Sequence, residues 1–89
     1  MKKSYLEITF RRGRAVAAYL YLAQRTGEKS YRSTRMKPGL VVDFNRSGIP
    51  IGVEITTPSK ITVAALNAAL RSLGVPTVKK ADLAPLLAA

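Results

Sequence analysis

The chain contains no cysteine and no histidine among its 89 residues. The absence of cysteine excludes disulfide bonds, thiolate nucleophiles and cysteine-based zinc sites. The absence of histidine removes the most common general base near neutral pH. Acidic residues are scarce too, with only five in the chain: Glu7, Glu28, Asp43, Glu54 and Asp82. We therefore expect a protein that is not an enzyme and that holds no cofactor or metal.

Long apolar runs are also missing. No stretch approaches the ~20 residues that a membrane-spanning helix needs. The start, "MKKSYLEITF", is charged but lacks an apolar core of signal-peptide length before Glu7. We expect a cytoplasmic protein with no membrane contact. The length predicts one domain over residues 1–89 with a modest core, and a homodimer or a small protein partner would bury what that core cannot.

Positive charge is what the chain has in excess, with a formal net charge of +10. Residues 1–37 hold ten bases and two acids, for a net +8, whereas residues 38–89 hold five bases and three acids, for a net +2. Such a field attracts polyanions or acidic proteins. The alternative is a basic surface that is simply solvated.

Alternation with a period of two predicts a first hairpin. "YLEITF" and "VAAYLYL" flank the turn-forming "RRGR". Pairing Phe10 with Val16 would set Ile8 opposite Ala18, and Leu6 opposite Leu20. In the same register Tyr5 lies opposite Tyr21, and Glu7 lies opposite Tyr19. One face of the hairpin is then aliphatic, and the other carries the tyrosines and Glu7.

The stretch "LVVDFNRSGIPIGVEI" predicts a second hairpin around the loop "NRSG". Its predicted register pairs Phe44 with Ile49, Val42 with Ile51, and Leu40 with Val53. Asn45 suits the start of the turn and Gly48 its left-handed residue. Gly52 is interpreted as a bend, although close approach of a large side chain is the alternative. "SYRSTRM", upstream of this hairpin, predicts a charged edge strand.

The period changes after "TTPS". Val63, Leu66, Leu70 and Leu73 form one helical stripe, with Thr62 as N-cap and Gly74 after the C-terminus. "KKADLAPLLAA" predicts a short terminal helix with Leu83, Leu86 and Leu87. The fold class is therefore α+β: an antiparallel β-meander of about five strands over residues 1–57, and a helical part over 58–89 whose long helix covers the aliphatic face.

The segments "AAYLYL" and "KPGLVVDFNRSGIPIGVEI" resemble the small bacterial domain-of-unknown-function family numbered 2283. The resemblance covers about residues 5–61 and is carried by the Asp43…Gly48…Gly52-x-Glu54 spacing. This chain differs at Lys37 and "RRGR", where the family is commonly acidic. The resemblance implies no activity, and at most an accessory or antitoxin-like role.

Candidate contact residues are aromatic or basic: Arg11, Arg12, Arg14, Tyr19, Tyr21, Tyr31, Arg32 and Arg35. Tyr5, Tyr19 and Tyr21 share the face opposite the aliphatic core, and Tyr31 with Arg32 or Arg35 is expected to extend it. Aromatics interleaved with bases can stack single-stranded RNA or DNA, whereas Tyr and Arg are also enriched at protein interfaces. The basic tip "RRGR" could touch phosphates or an acidic partner, or be a solvated turn.

Asp43 and Glu54 are a carboxylate pair that could bind a metal, but no third ligand supports that hypothesis. The sequence therefore favours a non-catalytic protein-interaction module or an accessory, antitoxin-like component. The alternative is a nucleic-acid-binding module that uses a basic, Tyr-rich sheet face. No small-molecule substrate is evident.

Overall fold

The computed structural model describes residues 4–22 and 29–87. Five strands come first: β1 (Tyr5–Arg11), β2 (Arg14–Tyr21), β3 (Arg32–Met36), β4 (Leu40–Phe44) and β5 (Pro50–Ile55). A 3-10 turn at Pro58–Lys60 leads to helix α1 (Val63–Ser72), and a second 3-10 turn at Lys80–Leu83 runs into helix α2 (Ala84–Leu87). The predicted α+β class with a five-stranded antiparallel sheet is confirmed. The polar connection predicted at Ala23 to Lys29 lies outside the described residues except for Lys29.

The strand order is β1-β2-β5-β4-β3, so the predicted simple meander is wrong in its order. β2 pairs with β5 rather than with β3. Burial explains the difference, because β5 has four buried residues out of six and gains most from a central place. β3 is exposed at four of its five residues, and its charged side chains suit the edge position that was predicted for it.

The first hairpin has the predicted register over most of its length. Tyr5 pairs with Tyr21, Leu6 with Leu20, and Ile8 with Ala18. The predicted pair Phe10–Val16 is wrong, because Phe10 pairs with Ala15 and Val16 is the extra residue of a β-bulge. The two-residue turn at Arg12–Gly13 causes the shift, since a tight turn brings Arg11 opposite Arg14.

The second hairpin is shifted from the predicted register. Leu40 pairs with Ile55, Val42 with Val53, and Phe44 with Pro50. Another bulge near Phe44 leaves Ile51 without a partner in β4. The loop includes Ile49 as well as the predicted "NRSG", because β5 begins at Pro50. The predicted roles of Asn45 and Gly48 are confirmed: Asn45 Oδ1 accepts the backbone N–H groups of Ser47 and Ile49, both at 2.9 Å, and Gly48 has a φ of 82°.

One hydrophobic cluster joins the sheet to the C-terminal segment. Strand residues on the aliphatic face belong to it together with Leu66, Ala69 and Leu70 of α1. Its fully enclosed side chains, at most 1 % exposed, are Leu40, Val42, Val53, Ile55, Leu66, Leu70 and Leu83. Ile51 is also buried. The period-two pattern therefore identifies the inward side chains of the central strands correctly, except for Val16, which is exposed.

Both ends of α1 are capped as predicted. Thr62 Oγ1 accepts the backbone N–H of Ala65 at 3.1 Å. Gly74 has a φ of 73°, and the N–H of Val75 donates to the carbonyl oxygen of Leu70 at 3.1 Å. This is the Schellman arrangement, in which a left-handed residue satisfies carbonyl groups at the helix end.

A side-chain amide holds the segment after α1 in place. Asn67 Nδ2 donates to the carbonyl oxygen of Val78 at 2.9 Å, and the N–H of Val78 donates to Asn67 Oδ1 at 2.8 Å. This bidentate contact satisfies both backbone groups of Val78, whose side chain belongs to the core. Asp82 then accepts the Lys79 N–H at 2.9 Å and starts the terminal helical turns. In the described residues, no helix is long and apolar enough to cross a membrane.

We expect Asn67→Ala to lower the free energy of unfolding by about 1–3 kcal/mol, because two backbone groups of Val78 lose their partner in a half-buried position. The loss should occur although alanine has the higher helix propensity. Urea denaturation followed by circular dichroism measures it, with exposed Arg71→Lys as the control on the same helix. An unchanged denaturation midpoint would contradict the structural role of the amide.

Candidate interaction face and arginine tip

Two rows of residues cross all five strands on the face opposite the core. The first row follows the pairing from β1 to β3 and consists of Tyr5, Tyr21, Gly52, Asp43 and Ser33. The second row lies beside it and consists of Glu7, Tyr19, Glu54, Val41 and Arg35. We call the surface made by these ten residues the tyrosine face.

Tyr19 lies diagonally across the tyrosine face. Its ring occupies the space where a side chain on Gly52 would be, so it passes over β5. Its hydroxyl donates a hydrogen bond of 2.7 Å to Asp43 Oδ2 on β4. The Tyr19 side chain therefore bridges β2 and β4 across the strand that separates them.

The role of Gly52 differs from the preferred interpretation as a bend. Gly52 is buried, and any Cβ atom at this position would overlap the Tyr19 ring. The close approach of a large side chain, which was the alternative, is the correct explanation. A glycine inside a strand costs stability, and here the aromatic packing it permits offsets that cost.

Asp43 is the polar centre of the face. Besides the Tyr19 hydroxyl, its carboxylate accepts a hydrogen bond from Ser33 Oγ on the edge strand β3. A half-buried carboxylate with two hydroxyl donors is well satisfied. Sequence reasoning missed this arrangement. The signal was available in part, because Asp43 and Gly52 both interrupt an otherwise apolar hairpin.

The remaining tyrosines form an aromatic cluster around Tyr21. The rings of Tyr5 and Tyr21 stack with their centroids 4.6 Å apart, and Tyr19 meets Tyr21 edge-on at 4.7 Å. The Tyr21 hydroxyl donates to Glu7 Oε1 at 3.1 Å. Such ring pairs stabilise by about 0.5–1.5 kcal/mol beyond their buried area.

Carboxylates shape the electrostatics of the tyrosine face. Three of the five acids in the chain, Glu7, Asp43 and Glu54, lie on it, and Arg35 is its only base. Burial and the hydrogen bond to Asp43 raise the pKa of Tyr19 well above its usual range. The hydrogen bond to Glu7 raises the pKa of Tyr21. Both phenols therefore stay neutral at physiological pH, and the face is acidic rather than basic.

The arginines predicted to accompany the tyrosines are divided between several places. Arg35 lies on the tyrosine face, at the β3 edge. Arg32 lies on the other side of β3, where its guanidinium stacks 4.5 Å from the centre of the Phe44 ring. Tyr31 precedes β3, is 64 % exposed and contacts the Arg46 guanidinium. The expected patch of tyrosines interleaved with bases is therefore not assembled.

The other three candidate arginines are together at the end of the first hairpin. Arg11, Arg12 and Arg14 are exposed, and we call them the arginine tip. Arg11 and Arg14 are direct cross-strand partners, and Arg12 has a φ of 54° in the turn. Like charges that face each other and a left-handed arginine both destabilise a hairpin. These arginines therefore do not stabilise the turn.

The carboxylate pair Asp43 and Glu54 lies on neighbouring strands but is offset, because Asp43 pairs with Gly52 and Glu54 with Val41. Across residues 4–22 and 29–87, no three acidic side chains are grouped closely enough to hold a metal ion. The Asp43 carboxylate is instead used by Tyr19 and Ser33.

Comparisons of the chain with protein-family models, with curated proteins and with solved structures found no match. The resemblance to the family numbered 2283 therefore stays a prediction from the residues that carry it.

We expect Gly52→Ala to destabilise the fold by about 1–3 kcal/mol, because the new methyl group displaces the Tyr19 ring and breaks its bond to Asp43. In a Tyr19→Ala background the same substitution should cost little, since the obstructing ring is gone. A double-mutant cycle from urea denaturation measures this coupling. Equal costs in both backgrounds would contradict the packing of Tyr19 on Gly52.

We also expect Tyr19 to make stability depend on alkaline pH. Its pKa is raised in the folded state, so its contribution is fully present below the ordinary tyrosine value of about 10 and is lost as pH rises beyond it. Between about pH 10 and 11.5, the free energy of unfolding should therefore fall less steeply with pH for Tyr19→Phe than for the wild type. The difference between the two slopes corresponds to about one proton per molecule. Equal slopes in urea denaturation would contradict this prediction.

Proposed function

We propose that the protein is a non-catalytic interaction module that binds a cationic segment of a partner protein on its tyrosine face. The observation that carries the proposal is the composition of this face. In a chain with a net charge of +10, it combines three clustered tyrosines with three carboxylates. An accessory or antitoxin-like role agrees with this chemistry.

The aromatic cluster supports a protein partner. Tyr5 is 47 % exposed, and Tyr21 is half-buried beside it. Tyrosine is enriched at protein interfaces because it offers a large contact area at a small cost in side-chain entropy. The stacking of Tyr5 on Tyr21 and the bond from Tyr21 to Glu7 hold these rings in place before a partner arrives.

The charge of the face supports a cationic partner. Lys or Arg side chains would find carboxylate acceptors at Glu7 and Glu54 and ring faces at the tyrosines, and both contacts favour cations. The same carboxylates oppose the phosphates of a nucleic acid, so stacking of single-stranded RNA or DNA on Tyr19 and Tyr21 is disfavoured. A homodimer that joins two tyrosine faces would set like charges against each other, and the homodimer stays a prediction.

Co-purification with quantitative mass spectrometry tests the proposal. A tagged wild-type protein is isolated under native conditions with nuclease present, so that capture through nucleic acid is removed. We expect a partner that binds the wild type and Tyr31→Ser, a variant changed at an exposed tyrosine that is not one of the ten residues of the face, but not Tyr5→Ser/Tyr21→Ser. Equal capture by all three proteins would overturn the proposed surface.

A pair of charge variants tests the cationic character of the partner. Glu54→Gln and Asp82→Asn both raise the net charge from +10 to +11, but only Glu54 is one of the ten residues of the tyrosine face, and asparagine keeps the oxygen that accepts the Lys79 N–H. We expect Glu54→Gln to weaken binding of the purified partner several-fold at low salt and Asp82→Asn to leave it unchanged. Calorimetric titration measures both, and tighter binding by Glu54→Gln would exclude a cationic partner segment.

A further inference from the structure

The arginine tip is a second charged surface that the tyrosine face does not use. In the described residues, none of its three guanidinium groups has a hydrogen-bond or ion-pair partner. The nearest acid on the hairpin is Glu7, four residues before Arg11 and therefore ~13 Å away along the strand. Glu7 also accepts the hydrogen bond from Tyr21. Three unneutralised positive charges thus project from one two-residue turn.

Apolar side chains stand directly behind these charges. Phe10 is 52 % exposed and Val16 is 45 % exposed, although the alternation in sequence predicts both for the core. The bulge at Val16 accompanies this exposure. Large exposed apolar side chains beside a cluster of arginines are typical of a contact surface.

We propose that the arginine tip inserts into a groove of double-stranded DNA. A two-stranded antiparallel ribbon fits the major groove of B-form DNA, which is about 12 Å wide, and arginine is the side chain best suited to phosphate oxygens and to the edge of guanine. Phe10 and Val16 would meet the sugars and the methyl groups of thymine. The deep and narrow major groove of A-form RNA excludes such a ribbon.

The overall charge assists this contact. The net +10 of the chain attracts a polyanion from a distance, while the carboxylates of the tyrosine face disfavour DNA there. The position of these carboxylates therefore favours DNA approach at the tip. The contact does not involve the tyrosine face, so either proposal can be wrong while the other is correct.

Fluorescence anisotropy with a labelled 20-base-pair duplex tests the proposal across a series of salt concentrations. The test variant is Arg11→Gln/Arg12→Asn/Arg14→Gln, in which asparagine suits the left-handed turn position. The matched control is Lys37→Gln/Lys60→Gln/Lys80→Gln, which changes three exposed bases elsewhere. Both variants carry a net charge of +7 instead of +10.

We expect the tip variant to bind on the order of 100-fold more weakly at physiological salt, and the slope of log affinity against log salt to fall by about 2.7, or ~0.9 for each lost phosphate contact. The control should lose much less. Phe10→Ala should weaken binding without changing the slope. Circular dichroism monitors folding. If the triple variant does not fold, the double variant Arg11→Gln/Arg14→Gln replaces it, with an expected slope change of about 1.8.

Three outcomes would overturn the proposal. Equal losses for the tip variant and the control would mean diffuse attraction by the whole surface. Competition by poly-glutamate at the same charge concentration as effectively as by duplex DNA would indicate an acidic protein instead. Equal affinity for duplex RNA would exclude insertion into a groove of B-form DNA.

Discussion

The aromatic surface depends on one contact across the outer face of the sheet, the Tyr19 ring lying on Gly52 with its hydroxyl on Asp43. The contact requires a glycine in the central strand and an acid on the next strand. It links three strands on the side opposite the hydrophobic core, and Ser33 extends the link to the edge strand. Tyr21 then packs against the fixed Tyr19 ring and stacks with Tyr5. The ordered aromatic surface is thus a consequence of one missing side chain.

The chain separates its charges by location. Of the bases in the described residues, only Arg35 belongs to the tyrosine face, which also holds Glu7, Asp43 and Glu54. The arginine tip lies at the turn end of the hairpin formed by β1 and β2. Surfaces of opposite character on one small domain suit two different partners, because each surface attracts what the other repels. Under the two proposals, one small domain would bind a cationic protein segment and a polyanion on separate surfaces.

Much of the fold could be predicted because period-two and helical patterns report burial directly. The inward residues of β2, β4 and β5 and both caps of α1 follow from such patterns. Strand order could not be predicted, because pairing of β2 with β5 depends on the relative burial of strands that are distant in sequence. The two bulges could not be predicted, because the apolar alternation in the sequence continues unbroken through Val16 and Ile51, which are the extra residues. At the candidate site, the tyrosines of the first hairpin were identified from their shared face. Which of Arg32 and Arg35 joins them could not be predicted, because β3 is polar on both sides.

The strand order has a further consequence for the chain as a polymer. β1 with β2, and β3 with β4 and β5, are two units whose strands are neighbours in sequence. The seam between them pairs residues that are 31 to 37 positions apart, from Tyr21 with Gly52 to Ala18 with Ile55. Closing so long a loop costs more conformational entropy than closing a hairpin. The Tyr19 bridge crosses this seam. It therefore offsets part of the entropy cost of loop closure at the one strand pairing that no short hairpin connection supports.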